Sequence, residues 1–244
     1  MTLLGSGLLA IWHDLDISDS ADLSDFQNWY RSEHFPERLG IPGFMRGRRY
    51  QSMDSDIRFS ALYETKDIET LASEAYYDRL DNPTPWSRKN LARFRNTNRT
   101  AFNIEHSMGF GIGGALAVIS VVPVDKTKNL LKDWYTKNKL PNMMRETDMV
   151  GAHLCIPNPK VTEVDSVESE IRDVPDQISD WVVLIESRNQ ETLATVLAKH
   201  FSAEECTNNG ALSASITKHQ LMHCANAGET SNFSLQLGDR AIAL

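Results

Sequence analysis

The chain carries the same pattern twice, and that duplication restricts its fold more than any other feature. "NWYRSEHFPERLGIPGF", beginning at Asn28, has a counterpart in "DWYTKNKLPNMMRETDM", beginning at Asp133. Trp29, Tyr30 and Pro36 fall on Trp134, Tyr135 and Pro141, a constant offset of 105 (134 − 29 and 141 − 36). Further on, "YETKDIETLAS" from Tyr63 aligns with "IESRNQETLAT" from Ile185. Glu64, Glu69, Thr70, Leu71 and Ala72 then fall on Glu186, Glu191, Thr192, Leu193 and Ala194, an offset of 122 (186 − 64). The difference of 17 (122 − 105) is an insertion in the second copy, within "PNPKVTEVDSVESEIRDVPDQISD", residues 157–180. That run is acidic, punctuated by proline and without a sustained apolar period, so it is expected to be a loop. Ordered matches at constant offsets mean two copies of one folding unit.

Each copy reads β-α-β-β-α-β. In the first, "GLLAIWHD" is a strand. "SDFQNWYRSEH" is a helix, with Leu23, Phe26, Tyr30 and His34 at helical spacing and Ser24 and Gln27 in capping-box positions. "IPG" makes the turn into the strand "FMRGRRYQ"; "RFSALYET", "IETLASEAYYDRL", an extra helical segment around "PWSRKNLARF" and "RTAFNIEHS" follow. The second copy repeats the order from "ALAVISVVP" to "ALSASITKHQLMH". The organisation expected is a first ferredoxin-like repeat over 1–108 and a Gly-rich linker over 109–114. A second, degenerate repeat covers 115–228, and a C-terminal tail 229–244. The fold class is α+β: tandem βαββαβ repeats, each with one bare sheet face, whose antiparallel sheets pack as an α+β barrel.

Composition narrows the function classes. A formal net charge of −8 and a pI near 5.4 argue against a nucleic-acid partner, which calls for clustered Lys and Arg. Three scattered cysteines, Cys155, Cys206 and Cys224, without CxxC spacing, fit a reducing compartment. The apolar start "MTLLGSGLLAIWHD" lacks a basic leader region and is too short to span a bilayer, so no membrane partner and a cytoplasmic location are expected. The N-x-[ST] matches at Asn98 and Asn232 carry no weight without secretion. "GFGIGG", from Gly109, has the spacing of a dinucleotide loop, but a strand and not a helix follows it, so it is read as the linker. Walker A, G-x-S-x-G and HExxH motifs are absent from the sequence.

The most unusual stretch joins the first helix to the second strand: Glu33, His34, Pro36, then Ile41-Pro42-Gly43-Phe44. A helix ending in histidine, a proline two residues on and "PG" before the next strand resembles the dimeric α+β barrel superfamily. The similarity is greatest to EthD-like proteins of bacterial catabolic pathways. That superfamily includes cofactor-free monooxygenases, polyketide cyclases, lactone isomerases, haem enzymes and members with no known reaction. The resemblance implies a pocket between sheet and helices and a proton-transfer role for His34. The second copy departs from the motif: Glu33-His34 becomes Asn138-Lys139 and Glu37-Arg38 becomes Asn142-Met143. A site is therefore expected in the first copy, with the second as scaffold.

The expected function is proton transfer (elimination, isomerisation or cyclisation) on a small, largely apolar organic substrate without a redox cofactor. His34 is the proton carrier, its pKa set by Glu33 or Glu37, with His13 or those carboxylates orienting it. Strand alternation puts Arg46, Arg48 and Tyr50 on one face and Gly47 with Arg49 on the other. A buried arginine there needs an anion, either a carboxylate such as Glu37 or the substrate. Arg48, Arg49, Tyr50, Tyr63, Trp86 and Asp14 form the expected substrate-binding set. His13, Glu33, His34 and Glu37 include a His-x-x-Glu spacing, but Pro36 interrupts the helix that would align them, so no metal is expected. For haem, His200, His219 and His223 give no ligation signal. Two alternatives stand beside this reading: an oxygenase of the same fold, and a non-catalytic ligand-binding or assembly protein. Whether the chain forms a homodimer is left open.

Overall fold

The computed structural model describes residues 3–17, 19–172 and 175–230. Eight antiparallel strands close into one barrel. They are β1 (Gly7–Leu15), β2 (Phe44–Ser52), β3 (Phe59–Thr65), β4 (Phe94–Gly109), β5 (Ala115–Pro123), β6 (Met149–Pro157), β7 (Trp181–Ser187) and β8 (Ala211–Asn226). Around the barrel the order is β1-β3-β2-β8-β5-β7-β6-β4. The first four strands thus lie as 4-1-3-2 and the last four repeat that arrangement as 8-5-7-6. The copies meet edge to edge, β2 on β8 and β4 on β6. Closure leaves neither sheet an open edge of unpaired N–H and C=O groups, and it encloses both bare faces at once. β4 and β8 run to 16 residues each because each pairs with strands of both copies.

Registers fix the correspondence between copies. Gly7 pairs with Thr65 and Ala115 with Ser187, so β1 maps to β5 at an offset of 108 (115 − 7) and β3 to β7 at 122 (187 − 65). Leu8, Ala10, Leu62, Phe102, Leu116, Val118, Val182 and Leu184 fill the barrel. Separate apolar cores lie between each half-barrel and its own helices.

The first helix does not end at His34. α1 (Ser20–Trp29), capped by the Asp19 side chain, continues through a π-helical turn, Tyr30–His34, into α2 (Phe35–Leu39). The second copy does the same: α5 (Lys128–Trp134), a π turn at Tyr135–Lys139, then α6 (Leu140–Met143). In each, the residue before the proline reaches back five residues, Phe35 N–H to Tyr30 O and Leu140 N–H to Tyr135 O. The widened turn lets the chain pass a proline that has no N–H to donate and would clash with a normal helical turn. Trp-Tyr and the proline recur because both copies build this bulge.

The 157–180 insertion holds two short helices where a loop was expected: α7 (Pro159–Thr162) and α8 (Val167–Ile171), the latter closed by a Ser166/Ser169 capping box. Four or five residues are too few for an apolar period to register. Both helices pack on the first copy. Thr162 Oγ1 accepts from Ala101 N–H at 3.1 Å, Val167 N–H donates to Asp81 Oδ1 at 3.2 Å, and Val161 joins the first core. The remaining helices are α3 (Glu74–Asp81), α4 (Pro85–Leu91), α9 (Gln190–His200) and α10 (Ala203–Asn208). Most of the 229–244 tail, including Asn232, lies outside the described residues. Among those described, no helix is long and apolar enough to cross a membrane.

Candidate functional site

A set of polar side chains gathers between the first half-barrel and its helices. Strand alternation turns Trp12 into the barrel and His13 toward the helices. There the His13 ring stacks on Phe94 at 4.0 Å between centroids, with Phe59 at 5.7 Å. His13 Nδ1 lies 3.1 Å from the Asp14 carbonyl, and Nε2 is buried without a partner. Burial drives its pKa down to about 3, and the Arg49 charge adds to the fall against the pull of that carbonyl. His34, on the π turn, is 4% exposed, with its ring 4.5 Å from Trp29 and 5.1 Å from Tyr30. Its Nδ1 is also buried and unpartnered. Burial, then the charges of Arg38 and Arg49, hold its pKa well below the ordinary value. Both imidazoles are neutral at neutral pH.

Arg49 projects from β2 to the same side. Its guanidinium sits 3.8 Å from the Tyr30 ring centroid, and Nη1 donates to Gln27 Oε1 at 2.7 Å. Nε and Nη2 are buried without partners, and burial lowers its pKa. No carboxylate neutralises this charge by direct contact among the described residues, so the cost of burying it is offset mainly by aromatic faces. On α2, Arg38 pairs with Glu168 of α8 and leaves Nη1 unpartnered. Burial opposes the Arg38 charge, but Glu168 and Glu37 outweigh it and raise its pKa. Tyr30, His34, Arg38, Tyr63, Tyr76 and Glu168 help enclose a cavity of about 20 Å³. That is room for roughly one water molecule. The Tyr30 and Tyr63 hydroxyls lie 3.2 Å apart.

The structure brings only part of the expected set together. His34 and Tyr63 line the cavity, and His13 and Arg49 pack against its wall residues Phe94 and Tyr30. Glu33 does not orient His34: its Oε1 accepts from the Thr84 and Ser87 hydroxyls and ties the π turn to α4. Glu37 is buried, and burial raises its pKa ahead of the opposing pull of Arg38. Burial and the Arg38 and Arg49 charges, not the glutamates, are the leading causes that shift His34. Trp86 donates to Asp25 at 3.1 Å, and Asp14 pairs with Arg58 at the strand end.

Arg48 and Tyr50 point into the barrel, away from this cavity. The fully buried Arg48 guanidinium forms ion pairs with Glu64 Oε1 at 2.9 Å and Glu186 Oε1 at 2.8 Å. Arg46 holds Glu64 at 2.7 Å and His153 lies 3.3 Å from Glu186. The anions that meet these arginines are therefore Glu64 and Glu186 where Glu37 was expected. Each also accepts from backbone just ahead of its own copy's first strand, Leu4 N–H at 2.7 Å and Gly113 N–H at 3.0 Å. That is a structural duty, which explains why both copies keep the glutamate.

Arg38, Arg99, Glu168 and Arg172 line the cavity without having been expected there. For Arg38 the replacement by Met143 in the second copy was an available signal. Glu168 and Arg172 left none, since they arrive from the other copy's insertion. Among the described residues no group of three or more His, Cys, Asp or Glu is placed to hold a metal ion.

Neither a protein-family model nor a curated protein sequence matches this chain. Solved structures do. An anthrone oxidase-like protein is 9% identical over 92% of this chain and 94% of its own, with a TM-score of 0.58. A protein provisionally named a monooxygenase, from Lactobacillus acidophilus, is 11% identical over 91% and 97% of the two chains, at 0.56. Another so named, from Fusobacterium nucleatum, is 12% identical over 91% and 95%, at 0.55. With the closed eight-stranded barrel these decide the architecture. The chain has the dimeric α+β barrel fold. At such identities the likeness extends to the fold alone, with both half-barrels supplied by one chain.

Proposed function

We propose that the protein is an enzyme that moves a proton on a small, largely apolar substrate carrying one anionic group, bound at the helix-side cavity of the first copy. The observation that carries this is a set of unpartnered buried nitrogens in and beside that cavity: His34 Nδ1 and Arg38 Nη1 in its wall, and His13 Nε2 and Arg49 Nε and Nη2 on side chains packed against the wall residues Phe94 and Tyr30. Buried polar atoms without partners are costly and are kept where a ligand completes them. Arg49 binds the anionic group. The His34 Nδ1 lone pair takes a proton from an acidic C–H of the substrate, and the electron pair left behind delocalises toward the arginines. The imidazolium then returns its proton at a second carbon or to a leaving group, which gives isomerisation or elimination with no net redox change. A neutral imidazole is the form needed, and the bound anion supports the imidazolium once it forms. His13 is the second proton-bearing group. With only about 20 Å³ available, admission of a substrate requires α8 to move from Arg38.

The names of the structural neighbours, an oxidase-like protein and two monooxygenases, favour a second reading, oxygenation, in which the same deprotonated substrate is attacked by O₂. Both begin with the same base. The test is solvent-deuterium incorporation, followed by NMR, into a panel of aromatic and aliphatic keto acids and phenols with acidic C–H groups. Incorporation by the wild type and its loss in a folded His34→Gln variant supports the base, and equal incorporation by both overturns it. Oxygen uptake coupled to that exchange selects the oxygenase reading.

A further inference from the structure

Another cavity is lined by strands of both copies, β1 and β4 of the first and β5 and β8 of the second, and shares no lining residue with the helix-side site. It measures about 310 Å³, within the ordinary range for small-ligand pockets. Trp12, Asn98, Ser120, Gln177, Thr217 and His219 are prominent in its wall. None of the eleven side chains around it is an acid, a lysine or an arginine, and seven end in a hydroxyl or carboxamide. In a chain with 24% charged residues, that is an unusual neutrality.

His219 belongs to it as a fixed neutral group. It is 2% exposed, with Nε2 2.8 Å from Thr217 Oγ1 and Nδ1 3.4 Å from Ser60 Oγ. Burial brings its pKa down to about 4, against a weak opposing pull from Asp54, which pairs with Lys218 at 3.3 Å. Asn98 Oδ1 is held by Thr100 Oγ1 at 2.9 Å and Ser179 Oγ at 3.1 Å, leaving its amide N–H groups to donate. Trp12, edge-on to Phe102 at 6.4 Å, supplies the one aromatic wall. The pocket is asymmetric although its frame is symmetric: the position equivalent to Trp12 is Ser120 (12 + 108). One copy contributes an apolar platform and the other a hydroxyl.

We infer that this cavity binds a neutral saccharide of one or two rings. A sugar ring presents a face of C–H groups that packs on an indole, while hydroxyls around its rim need donors and acceptors that carry no charge. An ionised ligand would meet no countercharge in the wall.

Isothermal titration of the full chain with glucose and maltose tests this, with glucuronate and adenosine as comparators. Heat of binding is expected with at least one neutral sugar. Glucuronate is expected about tenfold or more weaker, since its carboxylate is left uncompensated. Trp12→Ala is expected to lower sugar affinity by about tenfold or more. In case that variant fails to fold, Ser120→Leu and Gln177→Ala, both at exposed positions, should each weaken binding while thermal unfolding stays unchanged. No binding of either sugar, glucuronate or adenosine binding as tightly as the better sugar, or wild-type affinity in Ser120→Leu would each overturn the inference. Deuterium exchange at the first-copy site should be unaffected by Ser120→Leu, so the two sites succeed or fail separately.

Discussion

The two helix-side cores share a backbone and differ in chemistry. At the offsets fixed by repeat and register, His13 corresponds to Val121 (13 + 108), Arg38 to Met143 and Arg49 to Leu154 (38 + 105 and 49 + 105), and Tyr63 to Ile185 (63 + 122). Val121, Met143, Leu154 and Ile185 are buried apolar side chains in one continuous core. Lys139, at the place of His34, reaches Glu205 instead of an interior cavity. Since the second copy builds the same strands and the same π turn with apolar residues, the polar ones are not needed for the fold. Burying Arg49 without a carboxylate and two imidazoles without full hydrogen bonding costs stability, so the first copy is the less stable solution to the same packing problem. That is the pattern expected if the proposed site is confined to the first copy.

The comparison can be broken most severely through what the copies share. Glu64→Ala or Glu186→Ala leaves Arg48 short of one partner inside the barrel, and each is expected to cost about 3–5 kcal/mol by chemical denaturation. A much larger loss at one glutamate than at the other would mean that the halves are not equivalent at that level.

Acid acts next, on histidines buried in both copies: His13 and His34 in the first, His153 and His219 in the second. His13 and His34 have folded pKa values below that of an unfolded histidine, so between those values the unfolded chain binds protons that the folded chain does not. The stability held above pH ~6.5 is therefore lost as pH falls toward the folded values, at about 1.4 kcal/mol per pH unit for each such histidine. His13→Phe should reduce the slope of stability against pH by one proton from pH ~6.5 down to about 3. An unchanged slope would show that this imidazole is not buried neutral.

Making the first copy resemble the second should stabilise it. Arg49→Met is expected to raise the unfolding free energy by about 1–2 kcal/mol while abolishing anion binding, as seen in denaturant titrations and ligand-induced shifts in melting temperature. Lost stability together with intact binding would remove Arg49 from the site. The smallest effect belongs to the converse change. Lys139→His, on a partly exposed side chain, should alter stability by no more than about 0.5 kcal/mol and confer no proton exchange, because the groups around it are not those around His34.

Much of this was legible in one dimension. Constant offsets exposed the duplication, the β-α-β-β-α-β order set the class, and the contrast of Glu33-His34 with Asn138-Lys139 pointed to the first copy. The carboxylates were misassigned for a definite reason. Closeness along the chain put Glu33 and Glu37 with His34, but the helix runs on through the π turn into α2, and Glu33 turns instead to the Thr84 and Ser87 hydroxyls. Arg38 and Glu168 lie 130 positions apart, a pairing that no local pattern announces.

The sequence by itself determined the periodicities: which strands exist, which face each of their side chains takes, and that one plan is used twice. Those depend on neighbours along the chain, a few residues away. Tertiary structure alone decided what lies across from each side chain. Barrel closure set Arg48 between Glu64 and Glu186 and left Arg49 among aromatic rings, and α8 brought Glu168 into the wall of the helix-side cavity. Opposing charges and excluded water are properties of distance in space, and closing the chain on itself is what creates those distances.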